Sequence, residues 1–138
     1  MDRDNENCHQ LKDTLEKMAA DAELPTRSKP RGTSYTVVNR LVIEELEAWY
    51  FGDWTAVRAA YPKASPNIPS SPKYRNPDAI LGGTWETFER ILKKAGYFSN
   101  GLRKSEAARK IAPEMNSDHN TSHSFQVLRT ALLEMTLI

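Results

Sequence analysis

Two acidic clusters contain the residues of this chain whose types and spacing could do chemistry. Asp2 and Asp4 form a D-x-D motif, and Glu45 and Glu47 form an E-x-E motif just after an apolar run. Hard cations such as Mg²⁺ prefer oxygen ligands and usually take one or two carboxylates directly, which leaves coordination positions for water and phosphate. If the two clusters converge, they predict metal-assisted attack on a phosphodiester. We therefore take Asp2, Asp4, Glu45 and Glu47 as candidate ligands of Mg²⁺ or Mn²⁺.

A structural role competes with this interpretation. Short acidic motifs often match by chance, and Asp4 or Asn5 could simply cap the helix that follows. The E-x-E motif is less ambiguous, because it follows a strand-like run and does not lie in a generic charged helix. Neither motif is sufficient alone, so the metal hypothesis depends on a fold that brings the two together.

The charges of the chain are unevenly distributed, although its formal net charge is only +1. Residues 1–24 contain seven acidic and three basic side chains, whereas residues 91–112 contain six basic and one acidic. This polarity suits an acidic, metal-binding end and a basic end that attracts phosphate. It also suits ordinary solvated helix faces. Lys104, which opens a predicted helix in the basic part, is a weak candidate for binding phosphate.

Composition limits the class of protein. The 138 residues suffice for a single domain, which we place at residues 1–138. The lone Cys8 excludes an internal disulfide, gives no zinc-ligand pattern and favours a reducing, cytoplasmic location. No apolar stretch approaches the roughly 20 residues that span a bilayer, so we expect no membrane partner. The oligomeric state stays open.

Helical periodicity predicts the elements that must position these residues. Amphipathic or short helices are predicted at residues 7–22, 54–61, 84–95, 104–112 and 122–135. Asp53 is the predicted N-cap of the second of these helices, and Ser122 is that of the last. Five prolines between residues 61 and 78 predict a long irregular segment there.

Residues 34–43 contain the one visible strand signal. Their sequence, SYTVVNRLVI, is short and rich in β-branched and aromatic residues, which favours a buried strand. Residues 44–51 should leave that strand as a turn or short helix. Glu45 would then lie at the strand end, where open α/β proteins bind ligands. We therefore predict an α/β fold with few strands and several flanking helices.

Four segments of the chain resemble a known family. They are DRDNENC (2–8), RLVIEELEAWYFGD (40–53), GLRK (101–104) and NTSHSF (120–125), which together run from one end of the chain to the other. In these segments the chain resembles the bacterial domain-of-unknown-function family 4276, whose fold is held to be similar to that of TOPRIM metal-dependent nucleases and topoisomerases. The pattern E-L-E-A-W-x-x-G-D is the most specific part, and D-x-D is the least.

The resemblance implies a metal-binding, nuclease-type portion of a nucleic-acid-processing protein that works beside a partner ATPase in defence or repair. By analogy with TOPRIM-like sites, Asp2, Asp4 and Glu45 would be the catalytic, metal-proximal carboxylates, with Glu47 near them. The family pattern also implies a strand and a glutamate-bearing turn before D-x-D, so we expect an N-terminally incomplete TOPRIM-like domain. Because that glutamate would assist proton transfer, we expect little Mg²⁺-dependent phosphodiesterase activity from this chain alone.

A non-catalytic interaction or scaffold module is the competing class. The near-zero net charge favours it, and so does the expected lack of the upstream strand. An in-frame upstream strand that ends in a glutamate-bearing turn would favour the enzyme instead. The sequence does not decide between DNA and RNA as the substrate of such an enzyme.

Overall fold

Helices dominate the architecture of this protein. A computed structural model describes residues 7–41 and 46–137. Within these residues the α-helices are α1 (Cys8–Asp21), α2 (Glu47–Gly52), α3 (Trp54–Ala60), α4 (Thr84–Lys94), α5 (Lys104–Ile111) and α6 (His123–Thr136). Two 3₁₀ turns, Pro77–Ala79 and Ala112–Glu114, lie before α4 and after α5. None of the helices in this part of the chain is long and apolar enough to cross a membrane.

The predicted α/β fold is wrong. The structure is 52% helical with only 4% strand or bridge, and residues 7–41 and 46–137 contain no sheet. A TOPRIM-like domain is built around a sheet, so the expectation of an incomplete TOPRIM-like fold is overturned with it. Residues 42–45, which include the end of the predicted strand, lie outside the described residues.

Residues 34–41 show why the strand prediction failed. The backbone N–H groups of Thr36 and Val37 both donate to the carbonyl oxygen of Pro25, at 2.9 and 3.2 Å, and Arg27 N–H donates to the carbonyl oxygen of Val37 at 2.9 Å. A neighbouring loop therefore satisfies these groups, and a partner strand is not needed. β-branched and aromatic side chains suit any half-buried, extended surface, so the same composition fits this loop.

The five helices predicted from periodicity are confirmed, and each of their boundaries differs from the predicted one by at most one residue. Where a turn or short helix was predicted at residues 44–51, the structure has the short helix α2 at Glu47–Gly52. Three polar residues explain where helices begin. The Asn7 side chain accepts hydrogen bonds from two backbone N–H groups in the first turn of α1. Asp53 caps α3, and Ser122 caps α6, as the sequence predicts. Such caps satisfy N–H groups that have no partner within the helix.

The core is built on aromatic side chains of α2, α3 and α4. Phe51 stacks on Trp54 and Tyr74, with ring centroids 5.6 and 5.7 Å away, and meets Phe88 edge-on at 5.9 Å. Tyr74 belongs to the segment 61–78, which consists of turns apart from the 3₁₀ turn at its end, yet contributes to the core. The buried members of the core are Tyr50, Phe51, Trp54, Ala56, Val57, Tyr61, Ala64, Ile80, Phe88, Leu92, Ala107 and Ile111.

The chain just before α6 is attached directly to α2. Asn120 Nδ2 donates to the carbonyl oxygen of Trp49 at 2.8 Å, and Thr121 N–H donates to that of Gly52 at 2.9 Å. Residue 52 must lack a side chain, because a Cβ atom there would overlap Asn120 Oδ1 and lie 2.9 Å from the Ser122 nitrogen. The segments ELEAWYFGD and NTSHSF therefore meet at close range.

Asp78 joins the turn before α4 to the first turn of α6. Its carboxylate accepts hydrogen bonds from Ser122 Oγ and Ser124 Oγ, each at 2.8 Å, and from His123 N–H at 2.7 Å. Trp49 Nε1 donates to Ser124 Oγ at 3.0 Å, so the same network reaches α2. A carboxylate at a helix N-terminus also interacts favourably with the helix dipole. The network therefore fixes α2 relative to α6.

Glu16 ties α1 to the loop that was predicted as a strand. Its carboxylate accepts hydrogen bonds from Thr26 Oγ1 at 2.5 Å and from Asn39 Nδ2 at 2.9 Å, and the residue is 7% exposed. Burial raises the pKa of this carboxyl. The two hydrogen bonds, together with the charges of Lys12 and Lys29, outweigh burial and hold the pKa below its ordinary value. The folded state therefore favours the ionised form.

We expect Gly52→Ala to lower the free energy of unfolding by about 1–3 kcal/mol, because overpacking a closed contact forces the backbone apart. The cost should be smaller in an Asn120→Ala background, since that change removes the atom that the new Cβ would overlap. Urea unfolding, followed by circular dichroism, gives the free energy of unfolding of the wild type, the two single variants and the double variant. If the double variant lost as much stability as the two single variants together, the close approach of Gly52 and Asn120 would be contradicted.

Glu16 should make stability depend on pH in the acid range. Because its folded pKa lies below the unfolded value, its contribution is complete above the unfolded pKa and is lost as the pH falls through the folded pKa. Glu16→Gln should therefore reduce stability at neutral pH and flatten the decline between about pH 5 and pH 3.

Thermal unfolding across that pH range measures the effect of Glu16. Asp13→Asn, at an exposed position on the same helix, is the control and should keep the wild-type profile. Parallel profiles for wild type and Glu16→Gln would show that the hydrogen bonds to Glu16 do not favour its charge.

Candidate functional site

The structure describes two of the five residues that the sequence selects for a site, Glu47 and Lys104. Asp2, Asp4 and Glu45 lie outside the described residues. The convergence of the two acidic clusters therefore stays a prediction. Glu47 and Lys104 were selected for different roles, metal ligand and phosphate contact, and the structure places them side by side.

Glu47 is a buried carboxylate at the start of α2. The residue is only 3% exposed, although a glutamate is rarely buried without a partner. Its Oε1 lies 3.6 Å from Nζ of Lys104. The two partners differ in exposure, since the Glu47 side chain is 4% exposed and the Lys104 side chain 56%. The carboxylate is thus enclosed by protein, and the ammonium group reaches solvent.

Lys104, the first residue of α5, is positioned by its surroundings. Its Nζ lies 5.1 Å from the centroid of the Trp85 ring in α4, a cation–π contact. The chain leading into α5 is held as well, because Leu102 N–H donates to Glu89 Oε2 at 2.9 Å. Hydrogen bonds from Lys93 and from this N–H hold the pKa of the Glu89 carboxyl below its ordinary value. At neutral pH Glu89 therefore stays ionised and continues to accept the hydrogen bond from Leu102 N–H.

The charge of Glu47 also acts on Tyr50, one helical turn farther along α2. Burial raises the pKa of Tyr50 to about 12, and the negative charge of Glu47 adds to the shift. Tyr50 is 4% exposed and belongs to the core. At neutral pH its hydroxyl therefore remains protonated and cannot serve as a base.

The Glu47 carboxylate has the chemistry of a Mg²⁺ ligand but does not make a metal site alone. Residues 7–41 and 46–137 contain no group of three or more His, Cys, Asp or Glu side chains that could hold a metal ion. The other predicted ligands lie outside that part of the chain. Lys104 places one positive charge beside Glu47, with Nζ 3.6 Å from Oε1.

Sequence reasoning selected Glu47 and Lys104 separately and missed both their pairing and the role of Trp85. Trp85 has the spacing of a core residue on the inward face of α4, and nothing in the sequence links it to a lysine on the next helix. One signal was present: Glu47 and Lys104 belong to two of the four segments that carry the family resemblance.

Removing Lys104 should take away the positive charge that lies 3.6 Å from the buried Glu47 carboxylate. We expect Lys104→Ala to lower the free energy of unfolding at pH 7 by about 1–3 kcal/mol. The same change should cost less in a Glu47→Gln background, because a neutral amide needs no counter-ion. Arg109→Ala, at an exposed position on the same helix, is the control and should cost little.

Urea unfolding of the single and double variants gives the coupling between Glu47 and Lys104. An equal cost of Lys104→Ala in both backgrounds would contradict a functional pairing of the two charges.

Comparison with known proteins agrees with the family resemblance. No curated protein and no solved structure matches the chain. The family described as Domain of unknown function (DUF4276) matches residues 1–133, which is nearly the whole chain. The match covers all four segments that the sequence analysis singled out, so the chain belongs to this family.

Proposed function

We propose that this chain is part of a metal-dependent, nucleic-acid-processing protein. In this proposal Asp2, Asp4, Glu45 and Glu47 hold Mg²⁺ or Mn²⁺, and Lys104 contacts a phosphate. A bound divalent cation would supply charge stabilisation and nucleophile activation at a phosphodiester. The partner ATPase and the cytoplasmic location expected from the sequence belong to the same hypothesis.

Glu47 is the observation that supports this proposal most. Charge-assisted hydrogen bonds between ammonium and carboxylate groups are usually about 2.7–2.9 Å long, whereas Nζ of Lys104 lies 3.6 Å away. Among residues 7–41 and 46–137, the ion pair recorded for this buried carboxylate is therefore a long one, and burial of a charge costs free energy unless the charge is well paired. Groups held at such a cost are typical of functional sites.

Lys104 has the properties of a phosphate contact. Its side chain is 56% exposed, so an anion in solvent can reach the ammonium group. Its contacts with Glu47 and with the Trp85 ring hold it in one place. A positioned side chain loses less conformational freedom when it binds a ligand.

An interaction or scaffold module is the competing function, and α6 carries the observation that favours it. An apolar groove of about 320 Å³ on α6 is lined mainly by Phe125, Leu128, Leu132 and Leu133. Leu132 is 50% exposed and Leu133 46%. Contiguous apolar surface of this kind is typical of contact regions.

Metal-dependent thermal stability tests the metal site. Mg²⁺ or Mn²⁺ should raise the melting temperature, because a ligand that binds only the folded state stabilises it, and the gain should grow with the logarithm of concentration above the dissociation constant. Glu45→Gln and Glu47→Gln should each reduce this gain. Glu114→Gln, at an exposed position, should keep the wild-type gain.

The same titration separates the two functions. Loss of the metal effect in Glu45→Gln and Glu47→Gln but not in Glu114→Gln supports the metal site. The absence of a metal effect in the wild type, or an equal effect in all variants, would contradict it and favour the interaction module.

A further inference from the structure

A second group of cations lines a cleft that the Glu47 site does not include. The cleft has a volume of about 500 Å³ and lies between the irregular segment and α4. Its lining residues are Lys63, Ser65, Ile68, Tyr74, Arg90, Ile91, Lys94 and Ala95. Three of these residues are basic, and none is acidic. Ligand sites of small molecules commonly have volumes of about 300–1,000 Å³.

The three cations of this cleft have no carboxylate partner in the part of the chain that the structure describes, although Arg90 Nη2 donates a hydrogen bond to Thr87 Oγ1 at 3.2 Å. Lys63, Arg90 and Lys94 are exposed, and none of them forms an ion pair with another described residue. The next residue along α4 behaves differently, because Lys93 pairs with Glu89 at 2.6 Å.

The arrangement of the cations has an energetic cost within the free protein. Like charges four residues apart, such as Arg90 and Lys94, destabilise a helix by about 0.2–0.5 kcal/mol. The helix dipole favours Lys94 in the last turn of α4, but it does not account for Arg90 one turn earlier or for Lys63 on the facing segment. The cleft therefore gathers positive charge from two different parts of the chain.

Core residues fix the position of the residues that line the cleft. Trp54 Nε1 donates to the carbonyl oxygen of Ser65 at 2.7 Å, and the Lys63 N–H donates to Tyr97 Oη at 3.2 Å. Tyr74 stacks on an aromatic ring of α2, with ring centroids 5.7 Å apart. Binding to a cleft that is already ordered loses little conformational freedom.

The chemistry of the cleft selects a ligand with two different parts. Ile68, Tyr74 and Ile91 are half-buried and give an apolar surface, and the exposed cations stand beside it. Side chains one helical turn apart have Cβ atoms about 5–6 Å apart, so Arg90 and Lys94 can contact neighbouring anionic groups. Phosphate groups joined to a planar, weakly polar ring match this combination.

We propose that this cleft binds a nucleotide unit, with its phosphates at Lys63, Arg90 and Lys94 and its base against Ile68 and Tyr74. A free nucleotide and a nucleotide within a single strand present the same chemistry. The proposal does not use the acidic clusters, so it goes beyond the proposed function and can fail separately from it.

Binding measured in EDTA tests the cleft without divalent cations. The probes are ATP, followed by isothermal titration calorimetry, and a fluorescein-labelled oligothymidylate of twelve nucleotides, followed by anisotropy. We expect the folded chain to bind at least one of them. Changing Lys63, Arg90 and Lys94 together to glutamine should weaken that binding about tenfold or more. For the strand, this change should also reduce the salt slope by about 2, since each phosphate contact contributes about 0.7.

Two further variants make the result specific to the cleft. Changing Lys17, Arg31 and Arg109 to glutamine removes the same charge from exposed positions elsewhere and should leave binding unchanged. Ser65→Asp adds a carboxylate to the cleft, keeps every cation and should also weaken binding. Circular dichroism and melting temperature verify that each variant folds.

The relative affinities of the two probes identify whether a free nucleotide or a strand is bound. The proposal is overturned if neither probe binds, if inorganic phosphate competes as well as the nucleotide, or if both triple variants lose binding equally. Metal-dependent stabilisation of the cleft variant, measured alongside, reports on the Glu47 site independently.

Discussion

The attachment of α6 to α2 through Asp78 and Asn120 is the constraint on which the rest of the structure depends. α2 has only six residues, too few for an isolated helix to be stable in water. Its position must come from tertiary contacts. The Asp78 carboxylate holds the first turn of α6, and Asn120 donates to the carbonyl oxygen of Trp49. Gly52 permits the close approach that these bonds require.

The same attachment determines where the candidate site lies. The aromatic core holds one side of α2 through Phe51, and the residues before α6 hold another. Glu47, at the start of this clamped helix, is thereby enclosed, and Lys104 of α5 lies beside it. A buried carboxylate thus lies next to a positioned ammonium group, and these are the two groups to which the proposal assigns a cation and a phosphate. The proposed metal and phosphate chemistry therefore depends on a polar network that includes none of the residues assigned to those ligands.

The sequence predicts the parts of this structure that local interactions decide. Helical periodicity and the caps at Asp53 and Ser122 gave helix boundaries to within one residue, because each cap acts within its own first turn. The strand prediction is wrong over residues 34–41, the part of the predicted strand that the structure describes, for the opposite reason. A strand needs a partner elsewhere in the chain, and Pro25 satisfies the backbone of Thr36 and Val37 instead. Propensity alone cannot distinguish these outcomes.

The sequence predicts the candidate site only in part, because residue types are read locally and contacts between distant residues are not. The residue types of Glu47 and Lys104 suggested their chemistry, but their ion pair joins positions far apart in the sequence. Asp78 lies among prolines and has the local signal of a turn, so its role at the start of α6 was not foreseen. The cations of the cleft come from an irregular segment and a helix, and only the folded chain brings them together.

Paramagnetic broadening by Mn²⁺ tests the central claim most directly, because it reports where a bound ion lies. Substoichiometric Mn²⁺ added to ¹⁵N-labelled protein should broaden amide signals around Glu47 first, then those near Lys104 and Trp85, and Glu47→Gln should abolish this pattern. Broadening centred on an exposed acidic position such as Asp13, or a uniform effect that Glu47→Gln leaves unchanged, would contradict a metal site at Glu47.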